Sequence, residues 1–406
     1  MGTIQVKHKE KNGMDIMNEA LSIKEEMIGH YRYLHKNAEV GEKLPLTKEY
    51  IKSKLEEIGL SPKTCGESGI FAVIGEGEKC VLIRADMDAL TIKEETGLKY
   101  KCKSGCMHAC GHDMHASMLL GASKILKARE ENLKMPVKVV FQGAEEQLRG
   151  MKDMINNGIL EEPRVVSAGM IHTMIGENLD TGTVILPRSG EISPCADMFE
   201  VTVYGKGAHG AMARLGVDTV NVISHIVIAL QAITSREIGL NEPAALTVGA
   251  IKCGEEANVI AEKGILKGSV RSYSSSQQEY LKKRISQICK QTSATFKARC
   301  TVRFTGGAPG LLNDTGLVEC AREVLSRELG GRLISGGESK STGSEDFAHI
   351  THRVPSLMLA LCAGNKDSGY AYPLHHPKAI FDTDAMTTGA FLYSKMALDI
   401  LPGVTD

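Results

Sequence analysis

Apolar residues near the start of the chain recur at helical spacing. A charged segment over 16–29 is followed by 47–58, where Tyr50, Ile51, Leu55 and Ile58 share one face and Gly59 ends the pattern. The pattern then changes to short apolar runs that end in polar, ligand-type side chains. Residues 80–83 lead into Arg84-Ala85-Asp86, 137–141 into Glu145-Glu146, and 167–171 into His172. Between the first two runs, 115–129 sets Met118, Leu119, Ala122, Ile125 and Leu126 on one stripe, which predicts a helix. Strand, helix and strand in alternation predict an α/β fold with a mainly parallel sheet and helices on both faces. A late run, 354–361, precedes a glycine-containing loop and Leu374-His375-His376-Pro377.

The texture differs from about 197 to about 305. Phe199, Val201 and Val203 alternate as in a half-buried strand, and a glycine-rich loop follows at 205–210. An apolar helix is expected at 219–233, strands around 245–251 and 264–273, and a charged helix near 277–296. These elements predict a smaller α/β module, 197–305, inserted into a larger domain made of 1–196 and 306–406.

Composition narrows the class. The 406 residues are 42% hydrophobic, enough for real cores, and 48 basic against 49 acidic residues leave a formal charge of −1. No global field favours nucleic acid or a membrane surface, so a small-molecule partner is expected. No apolar run reaches the roughly twenty residues of a membrane span, and the N-terminus lacks the apolar core of a secretory signal. The 11 cysteines are odd in number and scattered from Cys65 to Cys362. They suit free thiols in a reducing cytoplasm better than a disulfide framework.

The chemistry concentrates in Met107-His108-Ala109-Cys110-Gly111-His112-Asp113-Met114-His115. Thiolate and imidazole bind borderline transition metals, and on an extended backbone Cys110 and His112 would share a face. A structural zinc knuckle that adds Cys102 and Cys106 is the plain alternative, although the Cys-x3-Cys spacings lack the usual Cys-x2-Cys turns. Asp86, Glu145, Glu146 and His172 all follow strand-like runs, and ligands of open α/β sheets bind beyond the carboxyl ends of strands. The set suits a two-metal hydrolytic centre, whose ions sit about 3.5–4 Å apart around a bridging anion. Adjacent Glu145 and Glu146 can divide the work, one holding metal while the other faces substrate and moves a proton. A rival lies in Gly205-x-Gly207-x-x-Gly210, which satisfies a dinucleotide-binding pattern with Glu237 as the ribose acid. That loop does not open directly into a helix, because 211–216 intervenes and Asp218 reads as the helix N-cap.

An ordered series of motifs from about Tyr31 to about Asp399 carries a resemblance. The series comprises Arg84-Ala85-Asp86-Met87-Asp88-Ala89-Leu90, His108-Ala109-Cys110-Gly111-His112-Asp113, Gly143-Ala144-Glu145-Glu146, Gly205-Lys206-Gly207-Ala208-His209-Gly210-Ala211, Asn258-Val259-Ile260, Gly343-Ser344-Glu345-Asp346-Phe347 and His375-His376-Pro377. With these the chain resembles the amidohydrolase branch of the M20 peptidase family, which includes hippurate hydrolase, aminoacylase-like enzymes, N-acetyldiaminopimelate deacetylase and plant auxin-conjugate hydrolases.

The resemblance implies two divalent ions per subunit (zinc, cobalt, manganese or nickel), with Cys110 as the bridging thiolate and His112, Glu146, His172 and His375 as the other ligands. His376 is the fallback for His375. Glu145 is implied as the general base that activates a bridging water, and Asp86 as a residue that orients a ligand or tunes that base. His209 is implied as a donor to the tetrahedral oxyanion, from its own or a partner subunit. Asn258 and Arg271 would grip a substrate carboxylate or carbonyl. The implied reaction is amide hydrolysis of an N-acyl amino acid by a homodimer that associates through the inserted lid domain. Exopeptidase or dipeptidase action would use the same centre, and a non-catalytic metal-binding module is the alternative of another class. The chain departs from the family pattern at Thr91, at Ala213-Arg214 and at Ala261, none of them an implied ligand. Arg214 either favours an acidic substrate or decorates the surface.

Overall fold

Every residue from Cys80 to Asp86 and from Val137 to Gln142 is buried, Arg84, Asp86, Lys138 and Gln142 included, as in strands covered on both faces. The computed structural model describes residues 15–336 and 343–404. These fall into two units, one drawn from 15–192, 312–336 and 349–404 and the other from 193–311 and 343–348.

The first unit holds an eight-stranded sheet. Its strands β1 (Lys63–Cys65), β2 (Gly69–Ile74), β3 (Lys79–Asp86), β4 (Val137–Gln142), β5 (Arg164–Met174) and β6 (Val184–Leu186) are joined by Leu333–Ser335 and Ser356–Cys362. The order across the sheet is β1, β2, β4, β3, β5, Ser356–Cys362, β6 and Leu333–Ser335. Four neighbouring pairs are parallel: β3 with β4, β3 with β5, β5 with Ser356–Cys362, and β6 with Leu333–Ser335. The other three, β1 with β2, β2 with β4 and β6 with Ser356–Cys362, are antiparallel, which leaves an α/β fold with a mainly parallel sheet. The helices Lys24–Lys36, His112–Ala128 and Ala385–Lys395 pack on one another and share one core with the strands.

Three local expectations change. The helix Lys24–Lys36 runs through Gly29, because Met27, Ile28, Tyr31 and Leu34 continue the buried stripe across it. One interior glycine costs about 1 kcal/mol against alanine, less than the burial it would interrupt. The helix expected at 115 begins at His112, so His112 and His115 lie in one first turn. Finally β5 continues to Met174, which places His172 inside the strand rather than after it.

The second unit is a four-stranded antiparallel sheet in the order Ala244–Cys253, Lys263–Ser272, Cys195–Tyr204 and Arg299–Ala308. The alternating Phe199, Val201 and Val203 meet Val222, Ile226, Leu281 and Ile285 of the helices Thr219–Ala232 and Ser275–Thr295 in a separate core. Asp218 caps the first of these helices by accepting from the N–H groups of Val220 and Asn221. All eleven cysteines are free thiols. Among the described residues no helix is long and apolar enough to cross a membrane.

Candidate metal centre

Cys110 and His112 converge through a turn rather than through extended backbone. Gly111 adopts a left-handed φ of 85° as the N-cap of the His112–Ala128 helix. A Cβ there would lie 2.6 Å from Thr173 Oγ1 and 2.8 Å from the Phe381 ring, so only glycine lets the turn lie against β5. The expected i, i+2 geometry is therefore replaced by a turn that folds the thiol and the imidazole toward one point.

The imidazoles are aimed by their second nitrogens. His112 Nδ1 donates to the Asp88 carbonyl at 2.9 Å, and His172 Nδ1 donates to the Thr173 carbonyl at 2.7 Å. A carbonyl can only accept, so each ring carries a proton on Nδ1 and leaves Nε2 as the atom that would turn to a metal. His172 Nε2 lies 3.7 Å from Cys110 Sγ. His375, at the left-handed φ of 65°, brings its Nε2 to 3.2 Å from Cys110 Sγ and 3.3 Å from Glu146 Oε1. The neighbouring His376 turns elsewhere: its ring stacks on Tyr372 at 4.4 Å and its Nδ1 accepts the Lys378 N–H at 3.1 Å.

Donor atoms therefore gather in overlapping triplets. Cys110, His112 and His172 form one, Cys110, Glu146 and His375 a second, and His112, Glu145 and Glu146 a third, with the atoms of each within 4.8 Å of one another. Cys110, His112 and Glu146 each belong to two of these, and of the three it is the Cys110 sulfur that joins the triplet of His172 to the triplet of His375. His112 Nε2 is buried without a hydrogen-bond partner, a cost of about 1–3 kcal/mol that a bound cation would remove. A thiolate, three imidazoles and carboxylates suit borderline divalent ions. Neither Cys102 nor Cys106 enters a cluster among the described residues, and Cys102 Sγ instead sits 3.0 Å from Ser104 Oγ.

Electrostatics agree with the donor set. Burial raises the Cys110 thiol, but the imidazoles of His112 and His172 outweigh it and bring it down to about 6. The Cys110 sulfur and then Glu146 raise His375 to about 10. Burial opposes ionisation of Glu146, yet His375 and His112 beside it hold its carboxyl below the usual range. Burial likewise opposes the charge on Asp86, and His112, His115 and Arg84 overcome it. Asp86 accepts from Arg84 Nη1 at 2.8 Å and His115 Nδ1 at 2.6 Å, and lies 3.7 Å from His112 Nε2.

Asp88 was not singled out by the motif that contains it. Its buried carboxylate accepts the Glu145 N–H at 3.1 Å and the Glu146 N–H at 3.2 Å, while its carbonyl orients His112. The preceding Ala144 has a φ of 58°, and the tandem glutamates start from that bend. Asp88 thus ties the loop bearing both carboxylates to the helix bearing His112. The only sequence signal was a second aspartate just past a buried strand.

His209, Asn258 and Arg271 belong to the second unit. Ala208–His209 pairs with Val259–Ile260, and the Gly210 N–H donates to the Asn258 carbonyl at 2.8 Å, so His209 and Asn258 share one exposed ribbon. His209 Nδ1 accepts the Ala211 N–H at 3.1 Å, which puts the ring proton on Nε2. Arg271 is exposed and donates from Nη1 to Ser344 Oγ at 2.8 Å. Arg214 is exposed in the turn Gly210–Leu215, which separates the glycine loop from the helix and removes the dinucleotide reading. Glu237, the acid that reading required, is held by Arg284 and Tyr280.

The pattern of Peptidase family M20/M25/M40 matches residues 82–399. An N-acetyl-L-cysteine deacetylase of Bacillus subtilis is 33% identical over 384 residues, 94% of this chain and 89% of that protein. An IAA-amino acid hydrolase of Arabidopsis thaliana is 32% identical over 382 residues, 92% of this chain and 85% of that protein. A Bacillus subtilis crystal structure described as a dinuclear metal binding peptidase from the M20 family superposes with a TM-score of 0.73 at 25% identity, covering 94% of this chain and 99% of that one.

Proposed function

The chain belongs to peptidase family M20/M25/M40 and is a hydrolase of amide bonds, and from that premise we propose that it cleaves N-acyl amino acids with a dimetal centre. The observation that carries the reading is the sulfur of Cys110, which gathers His112 and His172 in one donor triplet and Glu146 and His375 in another. Cys110, His112, Glu146, His172 and His375 would hold the two ions. When bound, such a pair polarises an amide carbonyl and lowers the pKa of water.

The chain's own groups do the rest. Glu145 takes the proton of the attacking water on a carboxylate oxygen and delivers it to the leaving nitrogen, a contribution of about 10²–10⁴-fold. Its backbone N–H is tied to Asp88, which limits where that carboxylate can swing. His209, with its proton on Nε2, is the proposed donor to the oxyanion, worth about 3–4 kcal/mol of barrier. Asn258 and Arg271 are the proposed grips for the substrate carboxylate, for which a guanidinium offers a two-pronged fit. Carbon–nitrogen cleavage then releases a carboxylic acid and an amino acid. The two curated relatives, named for a deacetylase and an amino acid hydrolase, support this substrate class. Peptidase action with the same groups is the second reading, favoured by the description of the dinuclear relative.

Eleven free thiols suit the proposed cytoplasmic setting. A homodimer through the second unit is supported by exposed Val220 and Ile228 on its Thr219–Ala232 helix and by exposed Ile251 on the Ala244–Cys253 edge strand. The test is hydrolysis of hippurate, N-acetyl-amino acids, N-acetyldiaminopimelate, aminobenzoyl-glutamate and dipeptides before and after chelation. Loss on chelation and return with zinc, cobalt or manganese is expected. Activity that survives complete metal removal overturns the mechanism, and exclusive turnover of dipeptides overturns the substrate class.

A further inference from the structure

His115 is fully buried one turn along the helix from His112 and forms a further donor triplet with Asp86 and His112, but both its ring nitrogens are engaged, Nδ1 with Asp86 and Nε2 with Thr173. Its ring lies 5.5 Å from that of His112 and 4.8 Å from that of His172. The Thr173 N–H donates to His115 Nε2 at 2.8 Å. Nε2 therefore carries the lone pair, and the proton on Nδ1 goes to Asp86 Oδ1 at 2.6 Å. The Thr173 hydroxyl also lies 2.8 Å from Nε2, and the Thr173 carbonyl takes the Nδ1 proton of His172 at 2.7 Å. A continuous buried chain thus runs from Arg84 through Asp86, His115 and the main chain of Thr173 to His172. The other Asp86 oxygen lies 3.7 Å from His112 Nε2, beyond hydrogen-bond distance, so the chain ends at His172.

We propose that His115 is a positioning residue for the metal centre: it anchors the main chain of Thr173, whose carbonyl orients His172 so that this ring presents Nε2. Without its acceptor, the Thr173 N–H loses its anchor and the carbonyl that orients His172 shifts with it. A side chain on the His112–Ala128 helix thereby fixes the direction of a donor on β5. The inference rests on the dimetal reading given above.

Two amide variants separate its two bonds, because an asparagine amide sits near the place of Nδ1 and a glutamine amide near that of Nε2. His115→Gln keeps an acceptor for Thr173, whereas His115→Asn keeps only the partner for Asp86. The measurement is chelator competition on the cobalt-loaded protein, read from thiolate-to-cobalt absorption, alongside the Tm of the metal-free protein. Outer partners of metal-binding histidines typically contribute on the order of 10–100-fold in affinity. His115→Asn is expected to weaken one of the two sites by that factor, while His115→Gln, which keeps the acceptor for Thr173, stays below that range. Wild-type affinity in His115→Asn overturns the inference, as does equal loss in both variants. Failure of the wild type to take up two ions overturns the dimetal reading instead. Should His115→Asn not fold, the ring protons of His115 and His172 are read in ¹⁵N-histidine-labelled wild type. Protons on Nδ1 of both support the proposal, and a proton on Nε2 of either overturns it.

Discussion

At the scale of single residues, the ligand-type side chains were legible because their chemistry is rare: five donors at strand ends and in one dense cluster have few other uses. Asp88 was not legible in the same way. Its work is to accept two backbone N–H groups, and nothing in sequence spacing tells which amides a carboxylate will meet. The choice between tandem histidines was open for a similar reason, since it is the left-handed backbone at His375 that turns one ring toward Cys110 and leaves the other on Tyr372. Three predictions belong here. Glu145→Gln is expected to retain both ions and lose about 10²–10⁴-fold in kcat, checked by metal analysis and steady-state rates; full activity with both ions bound removes Glu145 as the base. Asp88→Ala is expected to release the loop of both glutamates and lower kcat on the order of 10–100-fold, measured at saturating metal. Metal uptake near pH 8 is expected to release protons from imidazole and none from thiol, because His375 is raised to about 10 and Cys110 lowered to about 6. Apparent affinity then climbs with pH up to about 10, and titration calorimetry in two buffers of different ionisation enthalpy counts the protons.

At the scale of elements, the helices that carry the site are locked by a buried charge. His35, on the Lys24–Lys36 helix, meets Asp113 at 2.7 Å in the first turn of the His112–Ala128 helix and Glu94 at 3.1 Å on the intervening loop. Burial opposes its charge, but hydrogen bonds to Asp113 and Glu94 raise it to about 10. Its folded pKa lies above the ordinary 6.5, so its stabilisation is fully present below pH 6.5 and is lost as pH rises through about 10. Burial likewise opposes the charge on Glu94, which the bond from His35 nonetheless holds below its ordinary range, so its share is lost on acidification. Removing the cation leaves two buried carboxylates facing each other, and His35→Gln is expected to destabilise by about 3–5 kcal/mol. Denaturant unfolding across pH 7–10.5 checks both size and sign: the wild type loses stability toward the alkaline end and the variant stays flat. This link was invisible in the sequence because its members are 59 and 78 residues away from His35. The helices were visible from their stripes, but their ends were not. Burial on either side carried one helix through Gly29, and the turn at Gly111 began the other three residues early.

At the scale of the whole molecule, the two textures in the sequence correspond to two kinds of sheet. Short apolar runs became strands buried on both faces, and strict alternation at Phe199, Val201 and Val203 became a strand covered on one. Two strands that carry the same signatures were passed over. Gly69–Ile74 is a short apolar run that enters the large sheet antiparallel, and Arg299–Ala308 alternates Arg299, Thr301 and Arg303 with Cys300, Val302 and Phe304 before its register breaks near Gly306. Since all five proposed ligands lie in the first unit and each unit has its own core, metal is expected to stabilise one core and not the other. Calorimetric unfolding should show two transitions, of which added zinc raises only one, by about 2.7 kcal/mol at a hundredfold excess over Kd; a uniform rise of both rejects the independence of the cores.

The sulfur of Cys110, common to two triplets, gives inactivation a particular arithmetic. An oxidant that converts this thiolate to a sulfenic acid would withdraw one donor from both proposed ions in a single event. On that reading no half-loaded, half-active species separates the intact molecule from the dead one. Remaining activity plotted against oxidised Cys110 should therefore fall on a straight line that reaches zero at one equivalent per chain.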